Sequence, residues 1–144
     1  MDELRSHSSE RTPTPRTILL QEKLIPVVSK LKEAYLAWQA ALPHVAKAKR
    51  QTIAARIDGA LLDTLESTFS AAYLPPIRKM LALESAVARL DTAKFLLMIG
   101  WESGAITNSQ YTRITDTLAG ASKMLVGWRA YLEKKTPANG SERK

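Results

Sequence analysis

The chain has 144 residues, 45% hydrophobic and 24% charged, with a formal net charge of +7 and no cysteine. That length and balance fit one domain with one core and exclude a disordered chain, and the missing thiols exclude disulfides, thiol catalysis and cysteine-ligated zinc while fitting a reducing cytosol. An isoelectric point near 9.8 favours an anionic partner (nucleic acid, an anionic membrane surface or an acidic protein) over a basic surface kept only for solubility.

Residues 1–21 balance Arg5, Arg11 and Arg16 against Asp2, Glu3 and Glu10 among Ser, Thr and Pro. Such a segment buries too little apolar surface to offset its ordering entropy, so a flexible tail is expected. It also lacks the basic-then-apolar order of a secretory signal. Pro26 suits the first turn of a helix. Leu24, Val28, Leu31, Tyr35, Trp38 and Leu42 then recur at alternating spacings of four and three, which predicts an amphipathic helix that Pro43 ends at or just before Leu42.

The second helix is expected from Lys49 to about Tyr73, striped by Ile53, Ile57, Leu61, Leu65, Phe69 and Ala72, with Gly59 as a point of close helix contact. Pro75-Pro76 stops it and opens a third, marked by Met80, Leu83, Val87, Leu90, Leu97 and Trp101 and ended by Gly104 or Gly100. Asp91 and Lys94, three apart, are placed to pair. Thr107 and Gln110 spell a capping box. Tyr111, Ile114, Leu118, Ala121, Leu125, Trp128 and Leu132 stripe the last helix, and Gly120 and Gly127 leave a smooth strip for another helix. Residues 136–144 read as a second polar tail.

No stretch reads as a strand. Four amphipathic helices joined by short Pro- and Gly-marked turns predict an all-α fold over residues 22–135, an antiparallel up-down-up-down four-helix bundle with helices roughly 30–40 Å long. The longest apolar run, residues 95–99, is too short to span a bilayer, so no membrane segment is expected.

The motifs of bundle metalloenzymes are missing: there is no Glu-x-x-His, and His7 and His44 fall in the tail and a turn. No P-loop, GxSxG, HExxH or dinucleotide glycine pattern occurs. No catalytic residue, metal ligand or cofactor is therefore expected. Asp58, Asp63 and Glu66 read as a solvated face. Trp38, Trp101 and Trp128 fall on apolar stripes and are expected in the core or an interface rather than stacked on bases.

What remains is charge. Residues 42–57 hold Lys47, Lys49, Arg50 and Arg56 and no acid. Cations at a helix start oppose its macrodipole, so local helix stability does not account for them. Arg56 lies beside the apolar stripe and is also placed to pair with an acid such as Asp91. A second excess lies late in the last helix, where Lys123, Arg129, Lys134 and Lys135 outweigh Glu133. The candidate phosphate-binding set is Lys47, Lys49, Arg50 and Arg56, joined by Lys123 and Arg129. The second helix offers only Gln51 to read base edges, so the binding expected is phosphate-directed and weakly sequence-specific. In a bundle the two excesses lie at opposite ends, giving a side stripe, two patches or a surface completed by oligomerisation. Leu36, Leu62 and Phe95, off the main stripes, leave apolar surface for subunit contacts.

Leu24-Ile25-Pro26, Leu42-Pro43 followed by basic residues and Arg56-Ile57, Leu90-Asp91 with Lys94, Ile106-Thr107 with Tyr111, and Met124-Leu125-Val126-Gly127-Trp128 occur in an order that resembles a known family. It is the four-helix-bundle accessory variability determinants of diversity-generating retroelements, to which the intervening-sequence proteins of ribosomal RNA genes are similar. The resemblance covers residues 24–132. The chain departs from the family pattern at Ala54 and Val126, where glycine is common, and at Lys94, where arginine is usual. The resemblance implies a non-catalytic cytoplasmic protein assembled as a homopentamer, which binds a reverse transcriptase and its template RNA or cDNA and supports mutagenic cDNA synthesis. The alternative open from the residues alone is a protein-only interaction module that meets an acidic partner.

Overall fold

The computed structural model describes the backbone of residues 15–135 and the side chains of residues 26–134. All regular elements among them are helical. Four long helices, α1 (Pro15–Ala41), α3 (Ile53–Ala71), α4 (Pro76–Glu102) and α5 (Asn108–Lys135), carry the fold. Between α1 and α3 lie a 3-10 turn (Leu42–His44) and a one-turn helix, α2 (Lys47–Arg50). The long helices pack α1 on α3, α3 on α4, α4 on α5 and α5 on α1. Their inner faces share one cluster of buried residues, with Trp38, Ile57, Leu83, Leu90, Leu97, Ile114, Leu118 and Leu125 as its largest fully buried apolar members. No described helix is long and apolar enough to cross a membrane.

The first helix starts earlier than the sequence suggests. Pro15, not Pro26, heads α1, and Pro26 lies inside it. An internal proline removes one backbone hydrogen bond, which is why Pro26 reads as a helix start. Residues 15–21, expected as tail, are thus helical, and the remainder of the two expected tails lies outside the described residues. The C-terminal end is as expected: α1 stops at Ala41, ahead of Pro43.

The expected second helix is broken. Thr52 takes φ −113° and ψ −101°, outside the helical region, and separates α2 from α3. The buried stripe of α3 is also rotated. Phe69 is 51% exposed, while Thr64 and Thr68 are fully buried. Their hydroxyls donate to carbonyls one turn back, Thr64 Oγ1 to Ala60 O at 2.9 Å and Thr68 Oγ1 to Thr64 O at 2.8 Å. With its hydroxyl satisfied, a threonine packs as a small branched apolar group. Gly59 faces open space, and the close approach of α3 and α4 occurs at Gly100, where a Cβ would stand 2.9 Å from Ile57 Cδ1.

The α4–α5 turn follows its sequence signals. Gly104 has φ +84°. Ala105 N donates to Gly100 O at 2.8 Å and Gly104 N to Trp101 O at 3.1 Å, the paired bonds of a Schellman ending. Thr107 and Gln110 form the reciprocal capping box, Gln110 N to Thr107 Oγ1 at 3.1 Å and Thr107 N to Gln110 Oε1 at 2.8 Å. At the other turn, Lys79 is buried and its Nζ donates to Ala72 O at 2.9 Å, placing a cation at the C-terminal end of α3 where the helix dipole favours it. The ammonium also lies 5.9 Å from the Trp128 ring centroid.

Candidate nucleic-acid interface

The basic stretch after α1 is folded by its own side chains. Val45 is buried and anchors it to the core. Arg50 turns back over the chain, with Nε donating to Val45 O at 2.9 Å and Nη2 to Pro43 O at 3.0 Å. Lys49 crosses to the end of α4, where Nζ donates to Ser103 O at 3.0 Å. Both cations therefore cap carbonyls. This corrects the expectation that local structure does not account for them: Lys49 sits at a helix C-terminus, where positive charge is stabilising. Lys47, in the same turn, is exposed and holds no hydrogen bond or ion pair among the described residues.

Arg56, in the first turn of α3, is exposed over an open cleft lined by Gln51, Thr52, Ile53, Ala55 and Leu96. It does not pair with Asp91, whose Oδ1 lies 3.8 Å from Lys94 Nζ, the pairing that the three-residue spacing predicts. Lys94 also donates to Ser122 Oγ at 3.2 Å across the α4–α5 groove. Lys123 stands on the same groove, exposed and without a polar partner among the described residues. Arg129 is committed elsewhere: its Nη2 lies 3.3 Å from Glu84 and 3.8 Å from Glu133, tying α5 to α4. Its Nε is buried without a partner.

The six candidates thus fall into separate groups. Lys47, Lys49 and Arg50 share one turn beside Ser103. Arg129 meets Glu84, roughly 28 Å away along α4 at about 1.5 Å per residue. Lys123 lies between, on the groove next to Lys94. The glycine strip expected on α5 is interrupted, since the Lys30 side chain lies 3.9 Å from where a Gly120 Cβ would stand, whereas Gly127 faces open space.

Three features escape a reading of the sequence. Asp58 is not simply a solvated acid. Its Oδ1 accepts from Tyr35 OH at 3.0 Å, Trp38 Nε1 at 3.0 Å and Gln39 Nε2 at 3.4 Å, joining α1 to α3. Lys79 is buried rather than part of the basic surface. Trp101, expected in the core or an interface, is 38% exposed and stacked on Tyr111 with centroids 4.9 Å apart and planes 8° from parallel. A signal was present only for the first, in the clustering of Tyr35, Trp38 and Gln39 within one helical turn. Among the described residues no three His, Asp or Glu side chains converge as a metal site would require. No protein-family model matches the chain, and neither does any curated protein or solved structure.

Proposed function

We propose that the protein is a non-catalytic accessory protein that binds RNA, and the cDNA copied from it, through the phosphate backbone. The observation that carries this reading is that Lys47, Arg56 and Lys123 project into solvent with no acidic partner among the described residues. Unpaired cations on a chain of net charge +7 attract a polyanion and release its counterions. The family resemblance supplies the setting: a cytoplasmic component of a diversity-generating retroelement, partnered with its reverse transcriptase and template RNA. The helix pairings support the finer architecture, an antiparallel up-down-up-down four-helix bundle, because each long helix packs on its sequence neighbours and α1 closes on α5. RNA binding by a variant with Lys47, Arg56 and Lys123 changed to Gln tests the reading: weakened binding supports it, and undiminished binding sinks it.

A homopentamer is part of the same proposal. Leu36, Phe95 and Val126 are exposed, and Gly127 opens the α4–α5 groove to a neighbouring helix. Light scattering at micromolar concentration is expected to give about five times the 15.9 kDa chain mass. A monomer contradicts the ring.

A second reading, a protein-only module meeting an acidic partner, draws on the exposed Phe69, Tyr73, Ile77 and Leu81 around the α3–α4 turn. Retention of the reverse transcriptase with no affinity for RNA alone would favour it.

A further inference from the structure

Trp101 is the one tryptophan of three that the fold leaves open. Trp38 is 0% exposed and Trp128 6%, against 38% for Trp101. An indole of this size left in water forfeits much apolar burial. Its placement is nonetheless fixed. Tyr111, which packs against the core, covers one face of the ring at 4.9 Å, and Nε1 donates to Asn108 Oδ1 at 2.8 Å. One face is stacked and the pyrrole edge tied, yet the residue keeps 38% of its surface open.

The cations sit at the same end of the molecule. Lys49 Nζ reaches Ser103 O, two residues beyond Trp101, and the exposed Lys47 is in the same turn. Glu102 is the acid beside them, exposed and without a polar partner among the described residues. A held, partly exposed aromatic side chain near cations is the pairing that single-stranded nucleic acids exploit, bases stacking while phosphates meet the charge. A duplex keeps its bases stacked on one another and offers no free face. A ring already held in place loses little freedom on binding.

We propose that the Trp101–Tyr111 pair is a stacking site for an unpaired nucleobase of single-stranded RNA, with the open Lys47 serving an adjacent phosphate. The site rests on the RNA-binding reading and adds a strand preference to it: single strands bind more tightly than duplex of equal length and charge.

The experiment compares full-length wild type, Trp101→Leu and Trp101→Phe for binding to a short oligouridylate and to an RNA duplex of equal length. Trp101→Leu is expected to lose about 5- to 150-fold in affinity for the single strand, with duplex binding unchanged, and Trp101→Phe to recover most of the loss. A second measurement needs no variant. Since Trp38 and Trp128 are buried, iodide-accessible emission comes from Trp101, and saturating oligouridylate is expected to quench that emission and shield it from iodide. Unchanged single-strand affinity in Trp101→Leu, or unchanged emission and iodide access in wild type, overturns the stacking site while leaving phosphate binding intact. Equal losses for single strand and duplex also overturn it, because they report a turn that needs Trp101 for its shape. Wild type that binds neither RNA overturns the stacking site together with the RNA-binding reading.

Discussion

Asp58 joins two helices through a single carboxylate oxygen. The Tyr35 hydroxyl donates to it while accepting from Gln39 Nε2 at 2.8 Å, and Trp38 Nε1 donates from a fully buried ring. Burial, then the hydrogen bond to Asp58 and the repulsion of its charge, raise the Tyr35 pKa above its ordinary value of 10.0. In the unfolded chain the phenol loses its proton near that ordinary value, so above it the folded form binds more protons and stability falls as pH rises. The contribution is complete below pH 10 and is lost as pH climbs through the raised pKa. Tyr35→Phe is expected to destabilise the protein by about 1 kcal/mol at neutral pH. In denaturant titrations the wild-type advantage should shrink above pH 10, and a gap that stays constant would contradict the network. The same scale separates the cations. Replacing Lys49 or Arg50 removes a carbonyl cap along with a charge, so those variants mix folding with binding. Lys47, Arg56 and Lys123 report on charge alone.

At the scale of elements, the α4–α5 turn is the best-specified connection. Gly104 at φ +84° makes room for the Schellman bonds, and the Thr107/Gln110 box closes the start of α5. Gly104→Ala is expected to lower stability by about 1–2 kcal/mol, because a Cβ in the left-handed region clashes with its own backbone. Thermal unfolding reads this directly, and an unaltered midpoint would mean that the turn relaxes to another conformation. This connection is legible in the sequence because its residues act at fixed short offsets. The stripe of α5 is legible for the same reason: Ile114, Leu118, Ala121, Leu125 and Trp128 are all buried. The stripe of α3 is not, because Thr64 and Thr68 look polar until their hydroxyls are seen to return to the carbonyls one turn back. The break at Thr52 has no glycine or proline to announce it. The capping of Ser103 by Lys49 joins residues 54 apart, a separation that no local pattern reports.

At the scale of the whole molecule, the net charge of +7 is only partly surface charge available to a partner. Lys79 is buried, Lys49 and Arg50 cap carbonyls, and Arg129 and Arg89 pair with acids, Arg89 lying 3.7 Å from Asp63. The cations left open are spread along the molecule rather than gathered in one patch, which suits a backbone-tracking contact better than a pocket for a small anion. That distribution could not be read from the sequence, where Lys47, Lys49 and Arg50 look equivalent and Arg56 is the one set apart. The central claim is tested most directly by RNA affinity measured across a salt series, for wild type and for the variant with Lys47, Arg56 and Lys123 changed to Gln. The expected wild-type affinity falls steeply with salt, and the variant's log–log slope is flatter by about 0.7 for each lost contact on a single strand. A wild-type affinity indifferent to salt, or a variant slope equal to wild type, would contradict phosphate binding by these residues.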